Sequence, residues 1–223
     1  VSPHVQALSG SVEEYLEAIH RSSATPQGAS TTGLAEALGV KPASVTGMLR
    51  RLAGLGLISY RRYRTIALTP QGERRAHEIV RRHRLTERLL TDLLGVPLDQ
   101  VHEHACRLEH GVSPDLETRI AAALGGPQAC PHGHPIDAAA GDDTVALVEA
   151  PRHRVLTVVR LEDERPEAIR FLSEAGLLPG AQVRLLRREP FAGVLTVQVG
   201  DRALALGWQL AASVRVQRRR RGR

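Results

Sequence analysis

The chain has 223 residues, 42% of them hydrophobic and 3% aromatic, and its 30 basic residues exceed its 24 acids for a formal net charge of +6. That length admits one large domain or two to three small ones with real cores. Two cysteines, Cys106 and Cys130, are too few for a disulfide framework, and no run of about 18 apolar residues could span a bilayer.

The basic excess is almost all arginine, with "YRRYR" at 60–64 and "RRRRGR" at the C-terminus. Such a balance points to a polyanionic partner. Scarce aromatics argue against a stacking platform for single strands, which leaves duplex DNA. The N-terminal "VSPHVQALSGSVEEYL" has no export signature, so a cytoplasmic location and no membrane partner are expected.

In chain order, Val12, Tyr15, Leu16 and Ile19 make one apolar face of a first helix, and Leu34 to Leu38 a short second helix closed by Gly39. Next comes "VKPASVTGMLRRLAGLGLI". Pro42 suits a first helical turn, and Val45, Met48, Leu49 and Leu52 supply a buried face at i, i+3, i+4 and i+7. A short helix, a glycine turn and a second helix predict a helix-turn-helix. Ile58–Tyr60 and Thr65–Leu68 then predict two strands around an arginine-rich turn, the wing of a winged helix.

The exposed face of that helix carries the candidate DNA contacts. Ser44 and Thr46 offer hydroxyls to base edges or phosphates, and Gly47 lets the backbone approach. Lys41, Arg50 and Arg51, with Arg61, Arg62 and Arg64 of the wing, can meet phosphates or guanine edges.

Thr69 and Pro70 start a long helix predicted to run to about Leu94, with Ile79, Leu85, Leu89 and Leu93 apolar. "VHEHACRLEH" at 101–110 follows. As a helix it places His102, Cys106, Glu109 and His110 on one stripe beside an apolar stripe of Val101, Ala105 and Leu108. A further helix begins at Ser113-Pro114, and 125–143 reads as a linker rich in Gly, Pro, Ala and Asp. From Thr144 onward, "TVALV", "RVLTVVRL", "AQVRLLRR", "VLTVQVG" and "SVRVQ" predict a small β-barrel interrupted by one helix at Pro166 to Ala175. Phe171 and Trp208 read as core, and His4, His20, His77 and His153 as surface histidines.

Two more pairs share helical spacing with that stripe: His83 and Glu87 at i, i+4, and Glu14 and Glu17 at i, i+3. One His/Glu pair is ordinarily a surface ion pair, whereas three sets within a hundred residues suggest metal ligands.

With "EEYLEAI", "PASVTGMLRRLAGLGLI", "LTPQGE", "HRLTERLLTDLLG", "VHEHACRLEH", "VSPDLETRI" and "CPHGHPI" in order, the chain resembles the DtxR/MntR family of metal-dependent, diphtheria-toxin-repressor-like regulators. The resemblance implies a mostly α protein. Its domains would be a winged helix-turn-helix at 1–73, a helical dimerisation and metal-binding domain at 74–140 and an SH3-like domain of FeoA type at 141–217, followed by a basic tail at 218–223. It implies a homodimer that binds double-stranded operator DNA when metal-loaded, controls metal-uptake genes, and takes no small-molecule substrate.

Two metal sites per subunit are implied. His83, Glu87 and His102 match an ancillary site, and Cys106, Glu109 and His110 a regulatory one. Glu14 stands where iron-type members carry methionine, and Glu14 and Glu17 match carboxylates of manganese-type members. Glu162 is the expected ligand from the C-terminal domain, with Asp163 and Glu164 as rivals. A carboxylate at Glu14 hardens the site toward Mn2+, the first expectation, while Cys106 pulls toward Fe2+, the second. The competing readings are a metal-independent winged-helix regulator and a metallohydrolase. Against the latter, no HExxH-type pair is present.

Overall fold

A computed structural model of the chain describes residues 8–23, 28–60, 66–137 and 143–218. The chain divides into two compact units, Val1–Arg82 and His83–Arg223. Arg61, Arg62, Arg64 and the tail beyond residue 218 lie outside the described residues.

The first unit holds α1 (Gly10–Ser23), α2 (Thr31–Ala37), α3 (Pro42–Gly54), β1 (Ile58–Ser59), β2 (Ala67–Leu68) and the N-terminal part of α4 (Pro70–Asp92). Its core collects the apolar periods of each helix: Val12, Leu16 and Ile19 from α1, Leu34 from α2, and Val45, Leu49 and Leu52 from α3. Full burial of each such side chain contributes roughly 1.5–3 kcal/mol. The helix starts follow local chemistry. The Ser30 side chain accepts from the Gly33 amide at 3.1 Å to cap α2, and Pro42 stands in the first turn of α3. Between them Gly39 has φ +63°, a left-handed value that glycine adopts without strain and that turns α2 into α3.

β1 and β2 pair antiparallel, Ile58 with Leu68 and Ser59 with Ala67. The Thr69 hydroxyl donates to the Gly56 carbonyl at 2.7 Å and accepts from the Gly72 amide at 3.1 Å, joining the hairpin to the start of α4. The approach is close enough that a Cβ on Gly72 would sit 1.9 Å from the Leu57 carbonyl oxygen.

The second unit continues α4 and adds α5 (Leu98–Leu108), a 3-10 turn at Glu109–Gly111 and α6 (Pro114–Ala123). The helix expected through His110 therefore ends at Leu108, and its last ligands sit in the tighter turn. β3 (Val145–Ala146), β4 (Val155–Leu161), α7 (Pro166–Glu174), β5 (Gln182–Glu189), β6 (Val194–Val199), β7 (Arg202–Gly207), α8 (Trp208–Ala212) and β8 (Val214–Arg218) follow. β7 and α8 were not anticipated from the sequence.

The expected barrel is corrected: the strands form one open antiparallel sheet in the order β3-β8-β4-β5-β6-β7. Edge strand β3 is only two residues long, too short a ladder to close against β7. Register shifts between Val158 and Arg160 and between Leu185 and Arg187 bend the sheet around a core of Leu156, Val158, Leu161, Val183, Leu185 and Val197. α7 packs on it through Ala168, Ile169 and Leu172. Phe171, at the edge of the buried face of α7, and Trp208 are exposed, which corrects their reading as core. α5 meets this part through Leu98, which packs against the sheet core, and through Asp99, which accepts two hydrogen bonds from Arg170 at 2.7 and 2.9 Å.

Candidate metal centre

Within the second unit, α4 presents His83 and Glu87 one helical turn apart toward the residues of α5 and the turn after it. His83 is 5%, Glu87 3% and Glu109 1% exposed, and burying ionisable groups so deeply is tolerated only when they satisfy one another or a metal. His83 donates from Nδ1 to Glu109 Oε2 at 2.6 Å and from Nε2 to Glu87 Oε1 at 3.2 Å. His102 Nδ1 stands 3.2 Å from His83 Nε2 and 3.6 Å from Glu87 Oε1, and its Nε2 stands 3.6 Å from Cys106 Sγ. His110 Nε2 lies 3.9 Å from Glu109 Oε1. The two trios expected from the sequence are thus joined through His83.

Cys130, which the sequence leaves open as a structural thiol or a ligand, and His132, which it does not single out, complete the cluster. Cys130 and His132 are both buried, and His132 Nδ1 comes 3.3 Å from Glu87 Oε1. They sit in the "CPHGHPI" segment, folded back by hydrogen bonds from the Cys130 amide to the His134 carbonyl at 2.8 Å and from the Gly133 amide to the Cys130 carbonyl at 2.9 Å. Gly133 has φ +91°, and a Cβ there would lie 2.0 Å from the Val159 carbonyl oxygen, so only glycine lets this turn press on β4. The Leu161 amide donates to the His132 carbonyl at 2.9 Å, His134 Nε2 donates to the Leu161 carbonyl at 2.9 Å, and Arg84 donates to the Pro135 carbonyl. The available signal was the Cys-x-His spacing of the segment.

The ligating atoms of His83, His102 and Cys106 lie within 4.8 Å of one another, as do those of Glu87, Cys130 and His132. Each trio could converge on one ion, and the donors, imidazole with carboxylate and sulfur, are those of first-row divalent metals. The electrostatics show what the cluster does with protons instead. Burial alone would push His83 down, but Cys106, Glu109 and Glu87 outweigh it and hold it well above the usual histidine range. For His102, burial opposes but Cys106 and Glu87 prevail, raising it to about 10. Burial would raise Glu87, yet His102, His132 and His83 hold it well below the usual carboxylate range. Cys106 is lowered, its desolvation outweighed by His102 and His83, whereas burial and the Glu87 charge push Cys130 up to about 12.

The acidic loop before α7 divides its roles. Glu162 accepts from Arg160 at 2.7 Å and lies 3.9 Å from His134, Asp163 accepts from Arg165, and Glu164 Oε2 stands 3.5 Å from His102 Nε2. On α1 of the first unit, Glu14 is exposed, while Glu17 is buried and accepts from Arg21 at 2.8 Å.

On α3, Lys41, Ser44, Gly47, Arg50 and Arg51 are exposed. Thr46 is half-buried, and its hydroxyl donates back to the Pro42 carbonyl at 3.1 Å. Gly47 has nothing within 4 Å of where a Cβ would be.

Comparison with known proteins agrees over most of the chain. Residues 7–66 match the iron dependent repressor N-terminal DNA binding domain, 69–138 the iron dependent repressor metal binding and dimerisation domain, and 145–218 the FeoA domain. The chain is 33% identical over 201 residues to the iron-dependent repressor IdeR of Mycobacterium leprae, covering 83% of this chain and 87% of that one. It is 29% identical to the diphtheria toxin repressor of Corynebacterium diphtheriae, covering 82% and 86%. Among solved structures, a manganese-dependent transcriptional repressor in complex with manganese superposes with a TM-score of 0.86 at 33% identity, over 93% of this chain and 99% of that one. The manganese regulator SloR gives 0.79 at 26% identity, over 93% and 98%. The chain belongs to the iron-dependent repressor family of metal-dependent transcriptional regulators.

Proposed function

We propose that this protein binds operator DNA as a homodimer when loaded with Mn2+ or Fe2+ and controls genes of metal uptake and homeostasis. The observation that carries the reading is the buried network running from Glu109 through His83 to Glu87 and His132, with His102 and Cys106 beside it. Two ions per subunit would draw on His83, Glu87, His102, Cys106, Glu109 and His110, with Cys130 and His132 added. Glu164 replaces Glu162 as the contribution of the C-terminal part, because it is the acid of its loop that reaches His102.

A bound divalent ion would supply the positive charge that protons on His83 and His102 supply without it. The chain's own contribution is to hold carboxylates ionised and imidazoles aimed inward, so that losing a proton leaves a lone pair facing the same space. The oxygen donors Glu87 and Glu109 suit Mn2+, and the thiols favour Fe2+. A relative named as iron-dependent and a solved neighbour named as manganese-dependent support the same pair of ions.

DNA would be met by α3, whose exposed face bears Lys41, Ser44, Arg50 and Arg51. A glycine inside a helix costs about 0.5–1 kcal/mol against alanine, and among the described residues nothing packs where a Cβ on Gly47 would stand, which suits close approach by an outside surface. Dimerisation is supported by Leu93, Leu94, Leu108 and Leu116, large apolar side chains exposed in the helical segment.

Titrating Mn2+, Fe2+ and Zn2+ against anisotropy of labelled promoter DNA tests the reading. Metal coupling of roughly 1–3 kcal/mol should tighten binding about 5–150-fold. Affinity indifferent to every ion would leave the metal-independent regulator standing.

A further inference from the structure

The first unit carries a convergence of ligands of its own. Glu73 and His77 are one turn apart in the opening turns of α4, and His20 comes from the last turn of α1. His20 Nδ1 is 3.5 Å and His77 Nε2 3.9 Å from the same carboxylate oxygen, Glu73 Oε2, and the three ligating atoms all lie within 4.8 Å. The two imidazoles meet edge to face, centroids 4.9 Å apart at 89°. We propose that His20, Glu73 and His77 form a third metal site, selective for borderline divalent ions with Zn2+ foremost, which pins the end of α1 to the start of α4.

The geometry is near what such an ion needs. Tetrahedral zinc with bonds of about 2.0–2.1 Å sets its ligand atoms about 3.3–3.5 Å apart. The two measured separations need to close by only tenths of an ångström, within the reach of side chains that are 27% (His20), 44% (Glu73) and 46% (His77) exposed. Three protein ligands leave a position for water and let the ion enter from solvent, without the desolvation that attends the buried cluster.

The donor set also differs from that of the second unit. It has two imidazoles, one carboxylate and no thiol. Nitrogen-rich sites favour Zn2+, Cu2+ and Ni2+, and Mn2+ stands lowest in the affinity order of first-row ions. The place in the fold gives the site a consequence. Seven residues earlier on α1, Glu13 pairs with Arg82, five residues later on α4 than His77, at 3.4 Å. The helices are thus antiparallel and tied at one end by a salt bridge, and the histidine–glutamate trio is the tie at the other. An ion there would stiffen the unit that carries α3.

Zinc alone is the probe. The full-length protein is dialysed at saturating Zn2+, and bound metal is counted for wild type, His20→Ala, His77→Ala, the double variant and Glu73→Gln. Because zinc would also compete for the donors of the second unit, the reading is a difference. Each alanine variant should bind one equivalent per chain fewer than wild type, and the double variant should lose no more than either single. Glu73→Gln keeps size and an acceptor oxygen but not the charge, so it should weaken this equivalent at least tenfold with helix content unchanged. Mn2+ stoichiometry should be the same throughout. Zinc counts equal in wild type and variants, losses that add in the double variant, or full zinc affinity in Glu73→Gln would each overturn the site.

Discussion

The two units of this chain bury different chemistry. The first encloses mainly aliphatic side chains from α1, α2, α3, α4 and the hairpin, its buried acids Glu13 and Glu17 each paired with an arginine, and the polar and basic groups of α3 face outward. The second, besides its sheet core, encloses His83, Glu87, Glu109 and His132, with Thr86 among them. A hydrophobic core is indifferent to protons and metals, whereas a buried network of imidazoles and carboxylates has no fixed charge state. The comparison teaches where charge is concentrated: the largest buried network of ionisable groups lies in the second unit, while the buried core of the first is mainly apolar.

The largest test is to break the hub of the second unit. His83→Ala should abolish the metal response of DNA binding, a loss of about 100-fold or more in metal affinity, because His83 bonds to both Glu87 and Glu109. Metal-titrated anisotropy checks it, and a response intact after loss of His83 would separate the two ligand groups. Next in size is the converse. Leu49→Ala in the apolar core should cost about 2–5 kcal/mol in denaturant unfolding yet leave metal stoichiometry of the second unit unchanged.

Protons sharpen the contrast further. In the metal-free protein Cys106 and the facing carboxylates hold His83 and His102 above their ordinary values, His102 to about 10, so protons compete with a metal for these nitrogens. Metal affinity should therefore rise with pH by about tenfold per unit for each proton released, and the rise should cease once pH passes the raised values. Dye-monitored proton release during Mn2+ titration measures it, and no release would contradict the protonated network. For the first unit, Arg50→Ala and Arg51→Ala should weaken DNA binding and, for phosphate contacts, lower the salt slope by about 1 each. The smallest effect expected is from Gly47→Ala: a gain of about 0.5–1 kcal/mol in helix stability together with weaker DNA binding. Tighter or equal DNA binding would remove close approach as the reason for this glycine.

Much of this was legible in the sequence because it is local. The i, i+3, i+4, i+7 period of Val45, Met48, Leu49 and Leu52 set which face of α3 is buried, and with it which face carries Arg50 and Arg51. The four-residue spacings of His83 with Glu87 and of His102 with Cys106 placed each pair on one helical stripe, since helical geometry repeats on that scale whatever surrounds it. The sequence also spelled the turn at Gly39 and the break after α4 at Gly95, both of positive φ.

What the tertiary structure decided is every distance between elements. Periodicity says which way a side chain faces on its own helix, not what stands opposite, so nothing local joined Cys130 and His132 to Glu87. That meeting depends on Gly133 letting the turn press on β4 and on Arg84 holding the Pro135 carbonyl. The choice among Glu162, Asp163 and Glu164 was open for the same reason. Three consecutive acids have equal chemistry, and only the path of the loop before α7 separates them, turning Glu162 to Arg160, Asp163 to Arg165 and Glu164 to His102. The open sheet belongs here too, because strand alternation reports one buried face, while closure depends on edge length, and β3 pairs through only Val145 and Ala146.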